Sequence, residues 1–275
     1  MRNRMLLVIA SAVFSAVGLN AQQPQQPSYY QTVACVKITP GKFAEFRQFV
    51  NEASKKMAET RAKAGEISSW AVLRSVMPAG TEARCDYAIS TIYEGAPPAP
   101  QTTEGLGKAL EKAGVKMTAA QYLAKRDSLS HLVAMEMWRP RIRLGQPEKG
   151  HYLLVNYMKV HDATAYYKFE RETWQPLADA MIKEGTQSGW MLSTVLLPGG
   201  TDVKYTARTV DVYPSWDAVF KGNNMQEVFK KVFPDKDYQQ TFESLTKLRD
   251  LAERDLFVFE ELVRGKKEPA ATTDN

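Results

Sequence analysis

A set of motifs in this 275-residue chain recurs at a fixed distance of 120 positions. The segment 65–70 (GEISSW) returns at 185–190 (GTQSGW), and the turn 78–81 (PAGT) returns at 198–201 (PGGT). An internal repeat of this length predicts two similar folding units, each of about 110 residues and large enough to bury its own core. The duplication therefore limits the architecture before any single residue is considered.

The first unit shows an alternation of strand and helix patterns. Phe43, Phe46, Val50, Ala53 and Met57 fall on one face of a helix predicted over 41–64, which Gly65 should end. The spacing of Thr118 and Gln121 is typical of a helix-starting capping box. We predict strands over 30–38, 68–77, 84–93 and 132–138, and a second helix in two pieces over 103–113 and 118–129.

The second unit repeats this order. Its predicted strands cover 152–160, 189–197, 204–213 and 255–263, and its helices cover 163–184 and, with breaks, 215–253. Pro176 should kink the first of these helices. Each unit therefore has the βαββαβ order of a ferredoxin-like fold, an α+β class. We predict repeat 1 over 29–139, a linker over 140–149, repeat 2 over 150–264 and a disordered tail over 265–275.

The amino terminus resembles an export signal. Arg2 and Arg4 precede an apolar run, and a small-residue site ends at Ala21, before a polar leader over 22–28. A membrane anchor is the alternative, but the run is shorter than the roughly 20 residues that a span needs. We expect a signal peptide over 1–21 and a secreted or periplasmic protein with no membrane contact after cleavage. A net charge of +5 is too small to indicate nucleic-acid binding.

Half-chains of this size, with Gly-x-x-x-Gly/Ser-Trp at the start of the second strand, resemble the dimeric α/β-barrel superfamily. Its members include antibiotic-biosynthesis-type monooxygenases that use no cofactor, NIPSNAP-like proteins and haem-degrading or chlorite-dismutase-like proteins. The resemblance implies two four-stranded antiparallel sheets that face each other around a cavity. One chain would supply both sheets here, so we expect a monomer that forms a pseudo-dimeric barrel by itself.

Alternation along the strands predicts which side chains face that cavity. In the first strands they are Val33, Cys35 and Lys37, with Val155, Tyr157 and Lys159 as the equivalents. In the third strands the predicted inward residues are Cys85, Tyr87, Ile89, Thr91 and Tyr93, and in the second unit Tyr205, Ala207, Thr209, Asp211 and Tyr213. A shift of one residue would invert these assignments.

Several of these residues could hold a small-molecule ligand. Lys37 and Lys159 could bind an anion, or lie at the rim and pair with Glu136 and Glu260. Trp70 and Trp190 could stack on an aromatic ligand, or pack in the core. Similarly, the hydroxyls of the cavity tyrosines (Tyr87, Tyr157 and Tyr205) could orient a ligand, or the rings could simply fill volume.

The histidines and cysteines support a narrower set of sites. His131, His151 and His161 lack metal-ligand spacing, and no long predicted helix carries the His that haem-degrading relatives use. We therefore expect no metal and no cofactor. In the oxidising compartment of an exported protein, Cys35 and Cys85 could form a disulfide or remain two buried thiols.

Three functional hypotheses remain. The first is an exported protein that binds a small molecule between the sheets without catalysis. The second, from the resemblance alone, is a monooxygenase-like enzyme without a cofactor, and the third is a haem-binding protein. The sequence contains no Gly-rich phosphate loop, no Gly-x-Ser-x-Gly elbow and no Cys–His nucleophile pair, so nucleotide-dependent and hydrolytic activities lack support.

Overall fold

The computed structural model describes residues 28–221, 224–265 and 272–273. The first repeat has the predicted order of elements. Its strands are β1 (Tyr29–Ile38), β2 (Ser69–Met77), β3 (Tyr87–Glu94) and β4 (Ser130–Gly145), and its helices are α1 (Phe43–Phe49), α2 (Lys55–Lys63), α3 (Thr103–Lys112) and α4 (Ala119–Leu129). Thr118 and Gln121 form the predicted capping box at the start of α4.

The second repeat follows the same plan, with a helical region in more pieces. Its strands are β5 (Tyr152–Val160), β6 (Gly189–Leu197), β7 (Ala207–Tyr213) and β8 (Arg249–Arg264), and its helices are α5 (Ala163–Phe169), α6 (Gln175–Lys183), α7 (Trp216–Lys221), α8 (Met225–Val232) and α9 (Tyr238–Leu245). A short strand, β9 (Thr272–Thr273), pairs with β4.

The eight long strands close into one antiparallel barrel. The first repeat contributes the order β4-β1-β3-β2 and the second contributes β8-β5-β7-β6. Pairing of β2 with β8 and of β6 with β4 joins the two sheets at both edges. The α+β fold of two tandem ferredoxin-like repeats, with their sheets combined in a single-chain barrel, is therefore confirmed.

The joints between the sheets are made by two strands of 16 residues each. One end of β4 pairs with β1 and the other end with β6, and β8 divides in the same way between β5 and β2. Gly145 ends β4 at φ 73°, where a Cβ would lie 2.3 Å from the Ser188 carbonyl oxygen, so only glycine fits. Most of the predicted linker over 140–149 is thus strand, because its backbone groups pair with β6.

Side chains pack in three layers. The barrel interior holds residues from both repeats, including Val33, Val155 and Tyr157, as predicted. Helices of each repeat cover the outside of that repeat's sheet and enclose separate cores.

The predicted orientation of the third strands was wrong. Ala88 of β3 and Val210 of β7 face the barrel interior, whereas Tyr87 and Ala207 pack under the helices. Ile89 and Tyr93 are likewise on the helix side, and Thr209 and Asp211 line a cavity there. Tyr205 does face the barrel interior. The regular strand β7 begins only at Ala207, and the irregular backbone between Tyr205 and Ala207 changes which face the following residues take.

The long helix of each repeat is interrupted by a π-helical turn. These turns cover Val50–Ser54 and Glu170–Trp174, at equivalent positions of the two repeats. Pro176 lies at the start of α6, just after the second turn. Because the first repeat has the same interruption without a proline, Pro176 is not its cause.

Cys35 of β1 and Cys85, just before β3, are joined by a disulfide. No helix among the described residues is long and apolar enough to cross a membrane. The predicted signal peptide over 1–21 lies outside the described residues, as do all of the predicted leader over 22–28 except Ser28 and most of the predicted tail over 265–275.

Candidate functional site

Three of the predicted site residues meet inside the barrel, where they bond to and pack against one another. The Tyr205 hydroxyl donates to Glu136 Oε1 at 2.5 Å, Trp138 Nε1 donates to Oε2 at 3.1 Å, and Arg84 pairs with the same carboxylate. The Tyr157 ring lies 4.6 Å from that of Tyr205. Burial raises the pKa of Tyr157 to about 12, so the hydroxyl stays neutral. This cluster is a satisfied polar core.

Tyr87 and Glu260 are together elsewhere, under the helices of the first repeat. Tyr87 packs on Phe46 with ring centroids 4.9 Å apart. Burial, with the nearby Glu260 carboxylate, raises the pKa of Tyr87. Arg47 and Arg74 approach Glu260 Oε1 at 3.0 and 3.7 Å. This pair is thus removed from the barrel interior, contrary to the prediction: Tyr87 because β3 has the opposite parity, and Glu260 because it follows the inward-facing Phe259 on β8.

The two lysines do not converge. Lys37 Nζ pairs with Asp86 at 3.2 Å and donates to the Gly80 carbonyl oxygen at 3.0 Å, so it ties β1 to a turn. Its partner is not Glu136, as had been considered. Lys159 is exposed on β5. Both lysines lie at the rim.

The two tryptophans are buried, but only one borders a cavity. Trp70 is in the core under the helices of the first repeat. Trp190 is in the equivalent core of the second repeat, where it also lines an open space.

That space is a cavity of about 90 Å³ between the sheet and the helices of the second repeat. We call it the helix-side cavity. Its lining is unusually polar for a position under helices. The lining residues are Asn156, Met158, Glu170, Trp174, Trp190, Thr209, Asp211, Arg249 and Arg254. Arg254 is the exposed cation among them, so it marks the solvent side.

The two carboxyl groups of the helix-side cavity have different protonation behaviour. Glu170 is 1 % exposed, and burial raises its pKa to about 8. Burial raises the pKa of Asp211 to about 6, opposed by the hydrogen bond that Asn156 Nδ2 donates at 2.9 Å. Near neutral pH, Glu170 is therefore a neutral acid and Asp211 an anion, two states that can take the roles of acid and base.

Polar atoms of the helix-side cavity are left for a ligand. Glu170 Oε2 and Arg249 Nε are buried and make no hydrogen bond of acceptable geometry among the described residues, and the same holds for the hydroxyl of Tyr166, the nearest donor to the Glu170 carboxyl group. Arg254 Nε, by contrast, donates to Asn156 Oδ1 at 2.6 Å, which orients the amide toward Asp211. Because almost all buried polar groups in proteins are paired, an unpaired carboxylate oxygen and guanidinium nitrogen facing one space point to a binding function.

The first repeat fills the equivalent space with apolar side chains. Val50 stands at the position of Glu170, Ala34 at that of Asn156, and Ile89 at that of Thr209. Val50 is 4 % exposed within a continuous hydrophobic core. The site is consequently a property of one repeat and not of the fold.

The π-helical turn positions two walls of the cavity. Glu170 is its first residue and Trp174 its last, and both point to the cavity. π-helical turns occur often at functional sites because they change which side chains share a helix face. Sequence reasoning missed Glu170, Arg249 and Arg254. A comparison of the two repeats position by position could have found part of the site. The second repeat has a charged residue where the first has Val50, and another where the first has Thr91.

Comparisons with known proteins support the fold. No protein-family model matches the chain, and no curated protein matches it significantly. Among solved structures, a putative monooxygenase from Fusobacterium nucleatum has a TM-score of 0.56 and 9 % identity, over 90 % of this chain and 99 % of its own. A putative monooxygenase from Lactobacillus acidophilus NCFM has a TM-score of 0.51 and 11 % identity, over 87 % and 97 %.

These two neighbours have dimeric α/β-barrel-type folds, which the chain shares. A haem-binding protein from Thermus thermophilus is more distant, with a TM-score of 0.41 and 14 % identity, over 85 % of this chain and 91 % of its own. Sequence identities this low show that the chain shares a fold with these proteins, and they say nothing about its activity.

The described residues do not fit a haem. His161 Nε2 pairs with Asp250 at 3.1 Å, and His151 Nδ1 lies 2.9 Å from the Ser188 hydroxyl. No histidine lines the helix-side cavity, which is also much smaller than a haem macrocycle. The described part of the chain has no cluster of three or more metal-binding side chains.

Proposed function

We propose that this protein is an acid–base enzyme that acts on a small planar organic molecule in the helix-side cavity. One observation carries the proposal: a buried and a half-buried carboxyl group, with pKa values of about 8 and about 6, line one cavity together with two arginines. Perturbed carboxyl groups in a cavity are characteristic of acid–base sites. Trp174 and Trp190 supply aromatic walls suited to a flat ligand.

The proposed step is a proton transfer. The Asp211 carboxylate takes a proton from an acidic C–H or phenolic O–H of the substrate, and the electron pair of that bond remains on the substrate as an anion. Arg249 and Arg254 stabilise this negative charge. Glu170, which keeps its proton below a pH of about 8, donates a hydrogen bond to the same anion.

Oxygenation is a further reaction that such an anion can undergo. Dissolved O₂ would be the oxidant: one oxygen atom becomes a carbonyl oxygen on the substrate carbon, and the other leaves as water with the two hydrogens of that carbon. The structural neighbours described as putative monooxygenases share the fold, which makes O₂ the first oxidant to test.

Catalysis has more support here than binding alone. The hypothesis of a ligand held between the sheets by Tyr157, Tyr205 and Glu136 is weakened because these residues already bond and stack with one another. The haem hypothesis lacks a suitable histidine among the described residues.

The test uses pentane-2,4-dione, whose CH₂ group is acidic, whose enol is planar and whose small size matches a cavity of about 90 Å³. Oxygen consumption and the loss of the enol absorbance are followed with and without protein. We expect acceleration with a bell-shaped pH dependence, rising through about pH 6 as Asp211 ionises and falling above about pH 8 as Glu170 does. Acceleration that is independent of pH between about 5 and 9 would contradict the assignment of these groups.

We also propose that the protein is exported and monomeric. The Cys35–Cys85 disulfide supports an oxidising compartment. Closure of the barrel through the β2–β8 and β6–β4 pairings supports a monomer, since neither sheet has an unpaired long edge. Fractionation of the native host and light scattering of the purified protein test these two points.

A further inference from the structure

A second cavity lies inside the barrel, separate from the helix-side cavity. It has a volume of about 90 Å³ and adjoins a smaller space of about 40 Å³, with which it shares several lining residues. Its walls are mainly apolar and come from both sheets. They include Leu73, Leu153, Met191, Val212, Phe259 and Leu262, and no carboxylate lines either space among the residues described. We call these two adjoining spaces together the barrel channel.

A buried cation lines the inner part of the barrel channel. Arg208 is 4 % exposed, and its guanidinium lies 4.1 Å from the centre of the Trp138 ring. Its Nη2 donates to Gln31 Oε1 at 2.7 Å, and Gln31 in turn donates to the Ser90 hydroxyl at 2.7 Å. Its Nε has no hydrogen-bond partner within the described chain.

Arg208 also has no carboxylate within ion-pair distance among the described residues. The interior carboxylate of Glu136 is already occupied by Arg84, Tyr205 and Trp138. A buried guanidinium paired only with neutral groups is costly in free energy, and an anion that entered the barrel channel would offset that cost.

The outer end of the barrel channel is also basic. Arg143 and Arg264 line the larger space, and Arg264 is exposed to solvent. With no carboxylate among the described lining residues, the field along the channel attracts anions and repels cations. The walls between these arginines and Arg208 are mainly apolar, and the polar residues Gln31 and Ser90 among them already bond to each other, so the walls favour an apolar group.

We propose that the barrel channel binds a small amphipathic monocarboxylate, with its acid group against Arg208 and its apolar part between Leu153 and Phe259. A guanidinium is well suited to a carboxylate because it offers parallel N–H donors. The larger space accommodates about six to nine water-sized groups, at about 10–15 Å³ for each. This size corresponds to a short fatty acid or an aromatic acid.

The test is calorimetric titration of the purified protein with hexanoate at pH 7, beside hexan-1-ol and hexylammonium. We expect hexanoate to bind at least tenfold more tightly than the alcohol, and the ammonium ion not to bind. Equal affinity for acid and alcohol, or no binding of hexanoate, would overturn the proposal.

A filling variant tests the location. Ala71 lines the larger space, and its equivalent in the second repeat is Met191. Ala71→Met should weaken hexanoate binding at least tenfold without lowering the thermal midpoint, because it fills space and removes no contact. Asp211→Asn in the helix-side cavity should leave hexanoate binding unchanged.

Unchanged binding in Ala71→Met, or loss of binding in Asp211→Asn, would place the ligand elsewhere and refute the barrel channel as its site. Arg208→Met, where it folds, should reduce the preference for acid over alcohol.

Discussion

The two helix layers of this molecule share one backbone plan but enclose different interiors. In the first repeat the π-helical turn begins with Val50, which packs in an apolar core. In the second repeat it begins with Glu170, which borders a cavity that also contains Asp211 and Arg249. At this position of the duplicated fold, one repeat thus has an apolar side chain in its core and the other has a carboxyl group beside a cavity.

This difference shows where the protein keeps groups that lower its stability. Buried carboxyl and guanidinium groups with unpaired atoms are unfavourable for folding, and proteins retain such groups mainly where they have a function. The first repeat demonstrates that the fold does not need them. The proposed site can therefore be tested by substitutions that replace residues of the second repeat with their equivalents from the first, or that remove a single charged group of the cavity.

The largest effect should come from Asp211. Asp211→Asn keeps the shape of the side chain but removes the base, so the rate of pentane-2,4-dione oxidation should fall by about 10²–10⁴-fold. Oxygen uptake at pH 7 measures it. Thr91 is the equivalent residue of the first repeat, and Thr91→Val is the matched control that should retain the rate. A similar decrease in both variants would mean that the effect is structural.

The disulfide is the next difference between the repeats. Cys35 and Cys85 are 50 positions apart, whereas the equivalents Tyr157 and Tyr205 only stack. Replacing both cysteines with alanine should lower the free energy of unfolding by about 4 kcal/mol, because the unfolded chain gains loop entropy. Urea unfolding measures this change. Wild-type protein in reductant should lose a comparable amount, and a loss below about 1 kcal/mol in both would contradict the expectation.

The third effect is a dependence of stability on pH. Burial raises the pKa of Glu170 from 4.5 to about 8, so the folded state binds its proton more tightly than the unfolded state. This contribution is fully present below about pH 4.5 and is lost as the pH rises through about 8. In the wild-type protein, the free energy of unfolding should therefore fall by on the order of 3 kcal/mol between about pH 5 and pH 8. Glu170→Gln should remove this decrease.

Urea unfolding at the two pH values measures this dependence. Val50→Ile in the first repeat is the control, because it leaves every titrating group in place and should keep the wild-type pH dependence. A Glu170→Gln protein with the same pH dependence as wild type would show that Glu170 is ionised when buried.

The smallest effect should come from the aromatic wall. Trp174 lines the helix-side cavity, and the first repeat has Ser54 in its place. Trp174→Ser should raise the KM for pentane-2,4-dione roughly fivefold, since stacking on an aromatic ring contributes about 1 kcal/mol. The kcat should change much less, which separates a binding wall from a catalytic group. Trp70→Phe in the first repeat should leave KM unchanged.

Much of the fold could be predicted because its signals are local. The helix face of Phe46 and Val50, the capping box at Thr118 and the turn after Met77 are all read within a few residues, and the repeat adds a second copy of each pattern. The pairing of Cys35 with Cys85 was one of two alternatives. The orientation of Tyr87 was missed, since one irregular position before a strand inverts every residue after it.

The helix-side cavity could not be assembled in the same way. Asn156, Glu170, Asp211 and Arg249 come from a strand, a π-helical turn and two further strands, spread over more than ninety positions. No local pattern connects them, and a single Glu on a helix is usually a solvated side chain. Only the tertiary structure shows that it is buried beside two other charges.

The sequence by itself determined the duplication, the order of strands and helices and the class of the fold, because periodicity, caps and glycine turns act through neighbouring residues. The tertiary structure alone decided three things: that β4 and β8 extend to close the barrel, which faces of β3 and β7 turn inward, and that Glu170 borders a charged cavity while its equivalent Val50 packs in an apolar core. These depend on pairings between distant segments, where burial and desolvation, and not local preference, set the energy of each group.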